Sequence, residues 1–310
     1  KDTNAMSYET DMIIDRRRLK RRLTFWRIVG VLAVIAALIT AFGRFDLGGE
    51  EERIVRLSVD GIIVNDRLRE EKLDQISKDE NIKALILAIN SPGGTFTGGE
   101  NLYHSIRKVA TKKPVVALLG GTAASAAYMI AIAADHVIAG NGTITGSIGV
   151  ILQTANFTKL MDKVGIKSVI IKSGPMKAQP NPMEPFSEGA RAVTVSVIKD
   201  FFDMFVEMVM DRRKMDKETA YKLADGRIYS GRQAKANRLV DAIGREADAL
   251  KWLNEVHEIP TELPIVDVQI NYKDEKWREF FGNSLGKALF SKRLRLDGVL
   301  SLWQPNSNLD

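Results

Sequence analysis

Two nearly continuous apolar runs, separated by a segment with a helical pattern, constrain the fold of this chain more than any other feature. The runs are KALILAI (Lys83 to Ile89) and PVVALL (Pro114 to Leu119), and the segment between them is Thr97 to Ala110. A strand without polar alternation is buried on both faces, which is typical of parallel sheets covered by helices. Strands joined through a helix of this length favour parallel pairing with right-handed crossovers. The sequence therefore predicts an α/β fold.

The same alternation of strands and helices continues on both sides of this unit. RIVRLSVDGIIV (Arg53 to Val64) predicts a strand and a turn, and Asp66 to Asp79 predicts a charged helix. Downstream, Ala123 to Ala134 predicts a helix, and KSVIIK (Lys167 to Lys172) predicts a further strand.

Four of the nine prolines come directly after KSVIIK, which predicts an extended loop because proline fits neither a helix interior nor an inner strand. These prolines are Pro175, Pro180, Pro182 and Pro185. Ser187 then offers an N-cap for a long helix that reaches about Arg213. Apolar residues at helical spacing along this helix predict a core face or a subunit contact, and they are Val193, Val197, Phe201, Phe205 and Met208.

An apolar segment near the N-terminus, Leu23 to Gly43, carries Arg27 as its only charge and is about as long as the ~20-residue helix that crosses a bilayer. Basic residues precede it and acidic residues follow it, which predicts a cytoplasmic N-terminus. The rest of the chain then lies on the outer, periplasmic side of a bacterial-type inner membrane. A cleaved signal peptide, with Ala41 and Gly43 near the cut, is the alternative. The long basic region and the long apolar run favour an uncleaved anchor.

Composition excludes several kinds of site. The chain has no cysteine, so disulfides, thiolate zinc sites and cysteine nucleophiles are excluded. With only His104, His136 and His257, we expect no histidine-rich metal centre, and no cofactor is implied. The net charge of +6 is concentrated in the basic block between Arg16 and Arg22, so no nucleic-acid-binding surface is expected.

Three features have both a chemical and a purely structural interpretation. NSPGG (Asn90 to Gly94) ends a strand, and its glycines allow either close approach to a ligand or simply a tight turn. Ser125 lies where a strand meets a helix. This position suits either a nucleophile whose developing negative charge is favoured by the helix dipole or a plain N-cap. Lys177 lies on the proline-rich loop, where a lysine taken alone is a solvated surface charge.

In combination and order, these features resemble the signal peptide peptidase A family of membrane-bound Ser/Lys peptidases, from about Ile54 to Gly244. Four stretches carry the resemblance: NSPGG, GGTAASAAYMIAIAADHVIA, TITGSIGVI (Thr143 to Ile151) and ADGRIYSGRQAKANRLVDAIG (Ala224 to Gly244). The resemblance implies a ClpP/crotonase-like α/β fold with a repeated β-β-α superhelical core and an N-terminal transmembrane helix.

The resemblance also implies the role of each site residue. Ser125 would be the nucleophile and Lys177 the general base, since a lysine amine kept neutral by burial can take the serine proton. Backbone N–H groups of Gly93 or Gly94 and of Ala126 would form the oxyanion hole.

The chain departs from the family pattern at two places near these residues. Ala126 and Ala127 follow the serine where the family commonly has two glycines, and their methyl groups are expected to narrow the cleft. Ala178 follows the lysine where the family has an acidic or small residue, which leaves Ser147 in TGSIG as the candidate to orient Lys177.

The resemblance implies hydrophobic peptide substrates in or beside the membrane, such as released signal-peptide remnants. It also implies a ring-shaped homo-oligomer that can take the lysine from one subunit and the serine from its neighbour. The predicted segments are a basic cytoplasmic N-terminus (1–22), the anchor (23–43), a linker (44–52), the peptidase domain (53–264) and a C-terminal extension (265–310). We expect the aromatic and basic residues of that extension to form a membrane-surface or partner-binding helix, or a tail packed on the domain or a neighbour.

Three alternatives remain at this point. A histidine base, as in the similar Clp protease, is disfavoured because TGSIGVI contains no histidine, and His136 is expected to be structural. An inactive membrane-anchored scaffold is supported by Ala126 and Ala127. A crotonase-type acyl-CoA enzyme would share the fold, but it needs neither an anchor nor a Ser/Lys pair.

Overall fold

The computed structural model describes residues 22–35, 51–270 and 300–302, and it divides the chain into two compact units, 1–51 and 52–310. In the first unit, helix α1 covers residues 22–35 and exposes apolar side chains that include Leu23, Phe25, Trp26 and Leu32. Within the described ranges, no helix combines the length and the apolar character that crossing a membrane requires. The remainder of the predicted anchor, residues 36–43, lies outside the described residues, as do most of the basic N-terminus and of the C-terminal extension.

The second unit is built on a predominantly parallel sheet. Its strands are β1 (Arg53–Asp60), β2 (Ile82–Ser91), β3 (Gly93–Thr95), β4 (Val115–Ala124), β5 (His136–Ala139), β6 (Ile144–Gly146), β7 (Ile228–Ser230), β8 (Ala242–Ile243), β9 (Ile265–Asp267) and β10 (Leu300–Leu302). Its helices are α2 (Arg67–Lys78), α3 (Phe96–Ala110), α4 (Ala126–Ala131), α5 (Thr158–Lys163), α6 (Glu188–Arg213), α7 (Lys217–Leu223), α8 (Gly231–Ala236) and α9 (Glu246–His257).

The main sheet has the order β7-β6-β4-β2-β1-β9, and β5 and β8 extend it from β4. Strand β4 pairs in parallel with β5 through residues 116–119 and with β6 through residues 122–124. The β6–β7 pair is antiparallel, and β3 forms a separate two-stranded antiparallel sheet with β10. The predicted α/β class and the predicted parallel pairing of β1, β2 and β4 are confirmed.

Both faces of the central strands are buried, which explains their continuous apolar runs. In β2, Leu85 and Leu87 belong to the larger core cluster, whereas Ala84 and Ile86 point to the opposite face. That second face is covered by α9 through residues such as Leu253.

The boundary between β4 and α4 differs from the sequence prediction. The predicted helix Ala123–Ala134 is wrong at both ends, because β4 continues to Ala124 and α4 covers only Ala126–Ala131. Pairing of residues 122–124 with β6 keeps the first part in the strand. At the other end, Ala133 N–H bonds to Ile130 O and Ala134 N–H to Ala131 O, a tightened final turn of the 3₁₀ type.

The predicted strand Lys167–Lys172 is also wrong, since these residues form no regular element. Val169 and Ile171 are 84% and 96% exposed, and no strand within the described ranges pairs with the segment. An apolar alternating run is therefore not sufficient for a strand when its backbone has no neighbour to bond.

Ser187 is the N-cap of helix α6, as predicted, and its side chain accepts a hydrogen bond from Ala190 N–H. Its apolar stripe divides into two parts. Phe205 is fully buried, whereas Val193 and Val197 are 55% and 44% exposed. Only the second half of the stripe is therefore core in the single chain.

Candidate active site

Ser125 lies at the turn between β4 and α4 with a backbone conformation of φ 58° and ψ −122°. Residues other than glycine rarely adopt this region, and strain of this kind is concentrated at functional sites. Two hydrogen bonds hold the turn: Ser125 N–H donates to Gly146 O at 2.8 Å, and Ser125 O accepts from Met129 N–H at 2.9 Å. The side chain does not cap α4, so the plain N-cap interpretation is wrong.

Ser125 lines a cavity of about 500 Å³ whose walls are mainly apolar. The apolar lining comes from the segment after β6 and from one face of α6, and it includes Ile148, Val150, Ile151, Val195, Ile198 and Phe202. The polar groups of the lining include Ser147, Lys199 and Asp225. A cavity of this composition suits a ligand that carries apolar groups.

The motif TGSIG brings Ser147 into the same cavity as Ser125. Ser147 has φ 47° and donates its N–H to Arg227 O at 2.8 Å. The preceding Gly146 has φ 82°, and a Cβ there would lie 2.5 Å from the ring of Tyr229. Since Gly146 O also accepts the N–H of Ser125, one short turn fixes both hydroxyl-bearing residues.

The two glycines of NSPGG form β3, and their polar groups face different sides. Gly93 N–H donates to Ser91 Oγ at 3.1 Å, and Gly93 O accepts from Ile63 N–H at 2.9 Å. Thr95 N–H donates to Ile63 O at 2.8 Å. Because backbone groups alternate along a strand, the N–H and C=O of Gly94 face away from Ile63.

Gly94 is sterically required at its position. An ideal Cβ on Gly94 would lie 1.8 Å from the carbonyl oxygen of Ile63, which is backbone and cannot swing aside. The close pairing of Ile63 with β3 therefore depends on the absence of a side chain here.

Ala126 is the first residue of α4, so its N–H is one of the four donors that have no acceptor within the helix. Helix α4 packs against β3 and α3. Ala126 is fully buried and does not line the cavity, and a Cβ on Gly99 of α3 would lie 3.0 Å from Ala126 Cβ. Gly99 thus accommodates the extra methyl group, and the expected narrowing of the cleft by Ala126 does not occur.

Lys177 is exposed on the proline-rich loop and does not line the cavity. The structure of a single chain therefore does not bring Lys177 to Ser125. Polar contacts within the loop converge on Glu184. Its carboxylate accepts hydrogen bonds from Gln179 Nε2 at 2.6 Å and Asn181 Nδ2 at 2.8 Å, and it forms an ion pair with Lys172. The Lys172 ammonium holds the pKa of the Glu184 carboxyl below its usual value.

Sequence reasoning missed Lys199, the lysine that lines the cavity together with Ser125. Lys199 is exposed on α6, between the cavity-lining residues Val195 and Phe202. The spacing of Val195, Lys199 and Phe202 places them on one helix face, a signal that could have identified it.

His136 begins β5 and stacks on Trp252 with ring centroids 4.7 Å apart. Burial lowers the pKa of His136, which favours the neutral ring in this stack. The structural role expected for it agrees with these contacts. Within the described ranges, no three His, Asp or Glu side chains come together as a metal site.

Leu239 and Asp241, within the stretch Ala224 to Gly244, bond to elements around the site. Tyr128 of α4 is fully buried and donates its hydroxyl to Leu239 O at 2.8 Å, and burial raises the pKa of this phenol. Arg213 donates to both oxygens of Asp241, at 2.8 and 2.9 Å, and Val137 N–H of β5 donates to the same carboxylate. These bonds connect α4, α6 and β5 to the segment from Leu239 to Asp241.

Comparisons with known proteins add to this geometry. A model of peptidase family S49 matches residues 107–259, and a model of Clp protease matches residues 52–141. The second match covers β1 to β5 and, with the parallel sheet, shows the ClpP-like α/β fold that the sequence predicts.

Among curated relatives, a protein of Enterococcus faecium named as a signal peptide peptidase is 32% identical over 274 residues, covering 83% of this chain and 78% of that protein. A protein of Methanocaldococcus jannaschii named as a protease is 37% identical over 187 residues, and the match covers 60% of each chain. The solved structure of the "1510-N membrane-bound stomatin-specific protease" aligns with a TM-score of 0.46 and 16% identity, covering 71% of this chain and 98% of that one.

Proposed function

Because the chain belongs to peptidase family S49, the signal peptide peptidase A family, we propose that it is a serine endopeptidase in which Ser125 is the nucleophile and Lys177 the general base. The observation that carries this proposal is the strained, buried Ser125, whose hydroxyl leaves the helix uncapped and lines an apolar cavity. A strained turn that presents a serine hydroxyl between a strand and a helix is the arrangement that serine hydrolases use for a nucleophile.

In the proposed reaction, Ser125 Oγ attacks the carbonyl carbon of the substrate while Lys177 takes the hydroxyl proton and later gives it to the leaving amine. The developing oxyanion would accept hydrogen bonds from the N–H groups of Gly94 and Ala126. Gly94 is preferred to Gly93 because the Gly93 N–H is already donated to Ser91 Oγ. Each such donor is worth about 2.7–4 kcal/mol of transition-state stabilisation.

We place the lysine and the serine of one site on two copies of the chain. Residues between 151 and 197 expose many large apolar side chains around the Lys177 loop, among them Phe157, Leu160, Val164, Val169, Ile171, Met176 and Val193. An apolar surface of this kind on a folded domain marks a contact with another molecule. A second copy that covers this surface would bury the lysine. Burial disfavours the charged form of an amine, and a general base requires the neutral form. The assembly proposed is a ring of identical subunits.

The substrates proposed are hydrophobic peptides such as released signal-peptide remnants, in keeping with the apolar lining of the cavity. We also propose that Leu23 to Gly43 anchors the chain in a bacterial-type inner membrane, with the N-terminus cytoplasmic and the catalytic domain periplasmic. The basic residues before the segment and the acidic residues after it support this orientation.

The first test is hydrolysis of a fluorescence-quenched Leu/Ala-rich peptide by wild type, Ser125→Ala, Lys177→Ala and Lys199→Ala. Ser125→Ala and Lys177→Ala should fall to background while remaining folded and assembled. Lys199→Ala is the matched control and should keep most of the activity. If Lys199→Ala is inactive and Lys177→Ala is active, the base is the lysine of the same chain, and the assignment of Lys177 fails.

Mixing the two inactive variants tests the shared site. When Ser125→Ala and Lys177→Ala chains are dissociated together and reassembled in equal amounts, about a quarter of the interfaces should combine an intact serine with an intact lysine. Activity should therefore return to about a quarter of the wild-type value. No recovery from mixed assemblies would show that both residues must come from one chain.

A fluorophosphonate probe separates this function from its alternatives. It should label Ser125 in the wild type and leave Ser125→Ala unlabelled, because it reacts only with an activated serine. An inactive scaffold would give no labelling in either protein. A crotonase-type enzyme would instead consume acyl-CoA without being labelled.

A further inference from the structure

Strand β4 carries a bulge shortly before the proposed nucleophile. In its pairing with β2, Leu119 lies opposite Ile89 and Ala123 lies opposite Ser91. Three residues of β4 therefore occupy the interval that one residue of β2 spans, so β4 has two extra residues just ahead of Ser125. Bulges are common next to active sites, where they re-aim a side chain. The position of Ser125 therefore depends on how this bulge is held.

Two threonines of the segment TITG hold carbonyl groups of the bulge. Thr143 Oγ1 donates a hydrogen bond to Gly120 O at 2.7 Å, and Thr145 Oγ1 donates to Ala123 O at 2.6 Å. These two bonds lie at the two ends of the bulge, and both threonines are buried. Because a bulge interrupts the regular ladder of backbone hydrogen bonds, side chains can supply donors that the ladder does not.

Thr145 is the threonine more directly connected to Ser125. Its side chain is fully buried, and its backbone pairs with Ala123 of β4 on one side and with Tyr229 of β7 on the other. The next residue, Gly146, accepts the N–H of Ser125 at 2.8 Å. Two successive residues of β6 thus hold the chain at Ala123 and again at the strained turn itself.

We propose that Thr145 is a positioning residue for the peptidase reaction. Its hydroxyl fixes the Ala123 carbonyl, which in turn fixes where Ser125 Oγ lies relative to the oxyanion donors. Thr145 is buried and lies outside the lining of the cavity, so it acts through the backbone and not by contact with a substrate. This inference rests on the proposed function, since it concerns the same nucleophile.

Two conservative substitutions separate the hydroxyl of Thr145 from its volume. Thr145→Val nearly keeps the shape of the side chain and removes the hydroxyl, so the Ala123 carbonyl loses this donor in a buried position. Thr145→Ser keeps the hydroxyl and removes the methyl group. If the hydroxyl positions the turn, serine preserves activity and valine does not. A role in packing alone predicts the opposite order.

The experiment measures kcat and KM for the Leu/Ala-rich reporter peptide, and the rate of fluorophosphonate labelling, on the full-length protein in detergent. Thr145→Val should lower kcat and the labelling rate together by about ten- to a hundredfold and leave KM within about twofold of wild type, because a small misplacement of a reacting atom slows the chemical step. Thr145→Ser should stay within about threefold of wild type in both rates.

Thr111→Val is the matched control. Thr111 Oγ1 donates to Lys108 O at 2.8 Å at the exposed end of α3, so this variant also removes one bond from a hydroxyl to a carbonyl. It should leave kcat, KM and the labelling rate unchanged. Unfolding temperature and light scattering establish that each variant is folded and assembled. If Thr145→Val is not, Thr145→Ala replaces it, because alanine and serine differ only in the hydroxyl group.

The outcomes separate this inference from the proposed function. Equal kcat and labelling rates in wild type and Thr145→Val would refute the positioning role, as would a change confined to KM or a Thr145→Ser protein as slow as Thr145→Val. Unfolding of both Thr145→Val and Thr145→Ala would also refute it and make the hydroxyl a stabilising group only. In all these cases the peptidase function stands, since the wild type hydrolyses the reporter. If the wild type neither hydrolyses the reporter nor reacts with the probe, the proposed function fails, and this inference fails with it.

Discussion

Removing the guanidinium of Arg213 should destabilise the peptidase unit strongly at neutral pH and much less at acidic pH. Arg213 donates two hydrogen bonds to Asp241 and one to Arg238 O, and the paired side chains are 10% and 29% exposed. Arg213→Met keeps most of the apolar stem and removes only the charged donors. The change therefore leaves the Asp241 carboxylate in a mostly buried position without its cation.

The size of the effect follows from the burial of the pair. Breaking a fully buried ion pair costs about 3–5 kcal/mol, and breaking an exposed one costs about 0–1 kcal/mol. With one partner at 10% and the other at 29% exposure, we expect about 2–3 kcal/mol. For a unit of this size, each kcal/mol lowers the unfolding temperature by about 2–4 °C, so the shift should be about 4–12 °C.

The loss of stability in Arg213→Met should depend on pH, because it arises from the charge of Asp241. Burial opposes ionisation of Asp241, but the Arg213 hydrogen bonds and charge and the Val137 N–H outweigh it, so its pKa in the folded chain lies below the ordinary 3.8. A carboxyl with a lowered pKa contributes stability that is present above its unfolded pKa and lost as pH falls through its folded pKa. The difference between wild type and Arg213→Met should therefore be full at pH 7 and shrink below about pH 4.

Thermal unfolding followed by circular dichroism at pH 7 and pH 3 measures both quantities. Lys251→Met removes a cation from an exposed pair with Glu255, whose side chains are 69% and 62% exposed, and should change the unfolding temperature by less than about 2 °C. An equal loss for Arg213→Met at both pH values would refute the electrostatic explanation and assign the effect to packing of the side-chain stem.

Three further predictions concern the site and its surroundings. Gly94→Ala should lower peptide hydrolysis at least about a hundredfold, since the new Cβ must displace the backbone at Ile63, whereas Gly142→Ala, which meets no atom within 4 Å, should leave the rate unchanged. Glu184→Gln should lower kcat about ten- to a hundredfold by loosening the loop of Lys177. A Glu184→Gln protein that keeps the wild-type kcat would contradict this role. Ile171→Glu should give a smaller species by light scattering and little peptidase activity, whereas the same change at the exposed Val256 of α9 should alter neither; an assembled Ile171→Glu protein would refute the contact surface.

The sequence predicts the first half of the sheet closely because those elements are defined by local signals. Asp66 accepts from Arg69 N–H at the start of α2, and β2 begins at Ile82, one residue before the predicted Lys83. The errors occur where structure depends on distant partners. β4 extends to Ala124 because β6 pairs with it, and the apolar run at Lys167 forms no strand because no described segment pairs with it. No local pattern carries that information.

The candidate site likewise contains residues that local motifs identify and residues that only the folded chain brings to it. Ser125, Ser147 and the glycines of NSPGG belong to short motifs that are recognisable in the sequence, although partners outside each motif hold their turns in the folded chain. Lys199 belongs to no motif, and the only sequence signal for it is its helical spacing from Val195 and Phe202 on α6. The pairing of β10 with β3 lies equally beyond sequence reasoning, because Leu300 and Thr95 are joined only by the register of the folded chain.

The positions of Ser125 and Lys177 in a single chain make the proposed activity depend on assembly. The proposed nucleophile Ser125, its strained turn and the Gly94 strand are complete within one copy, whereas Lys177 is exposed on an apolar surface of the same copy. A general base must hold its amine unprotonated, and burial favours that form. If a neighbouring copy must bury it, the dilute monomer is inactive, and activity begins only when subunits assemble. Dilution below the assembly concentration should therefore abolish hydrolysis reversibly, and activity that is proportional to concentration throughout would contradict a shared site.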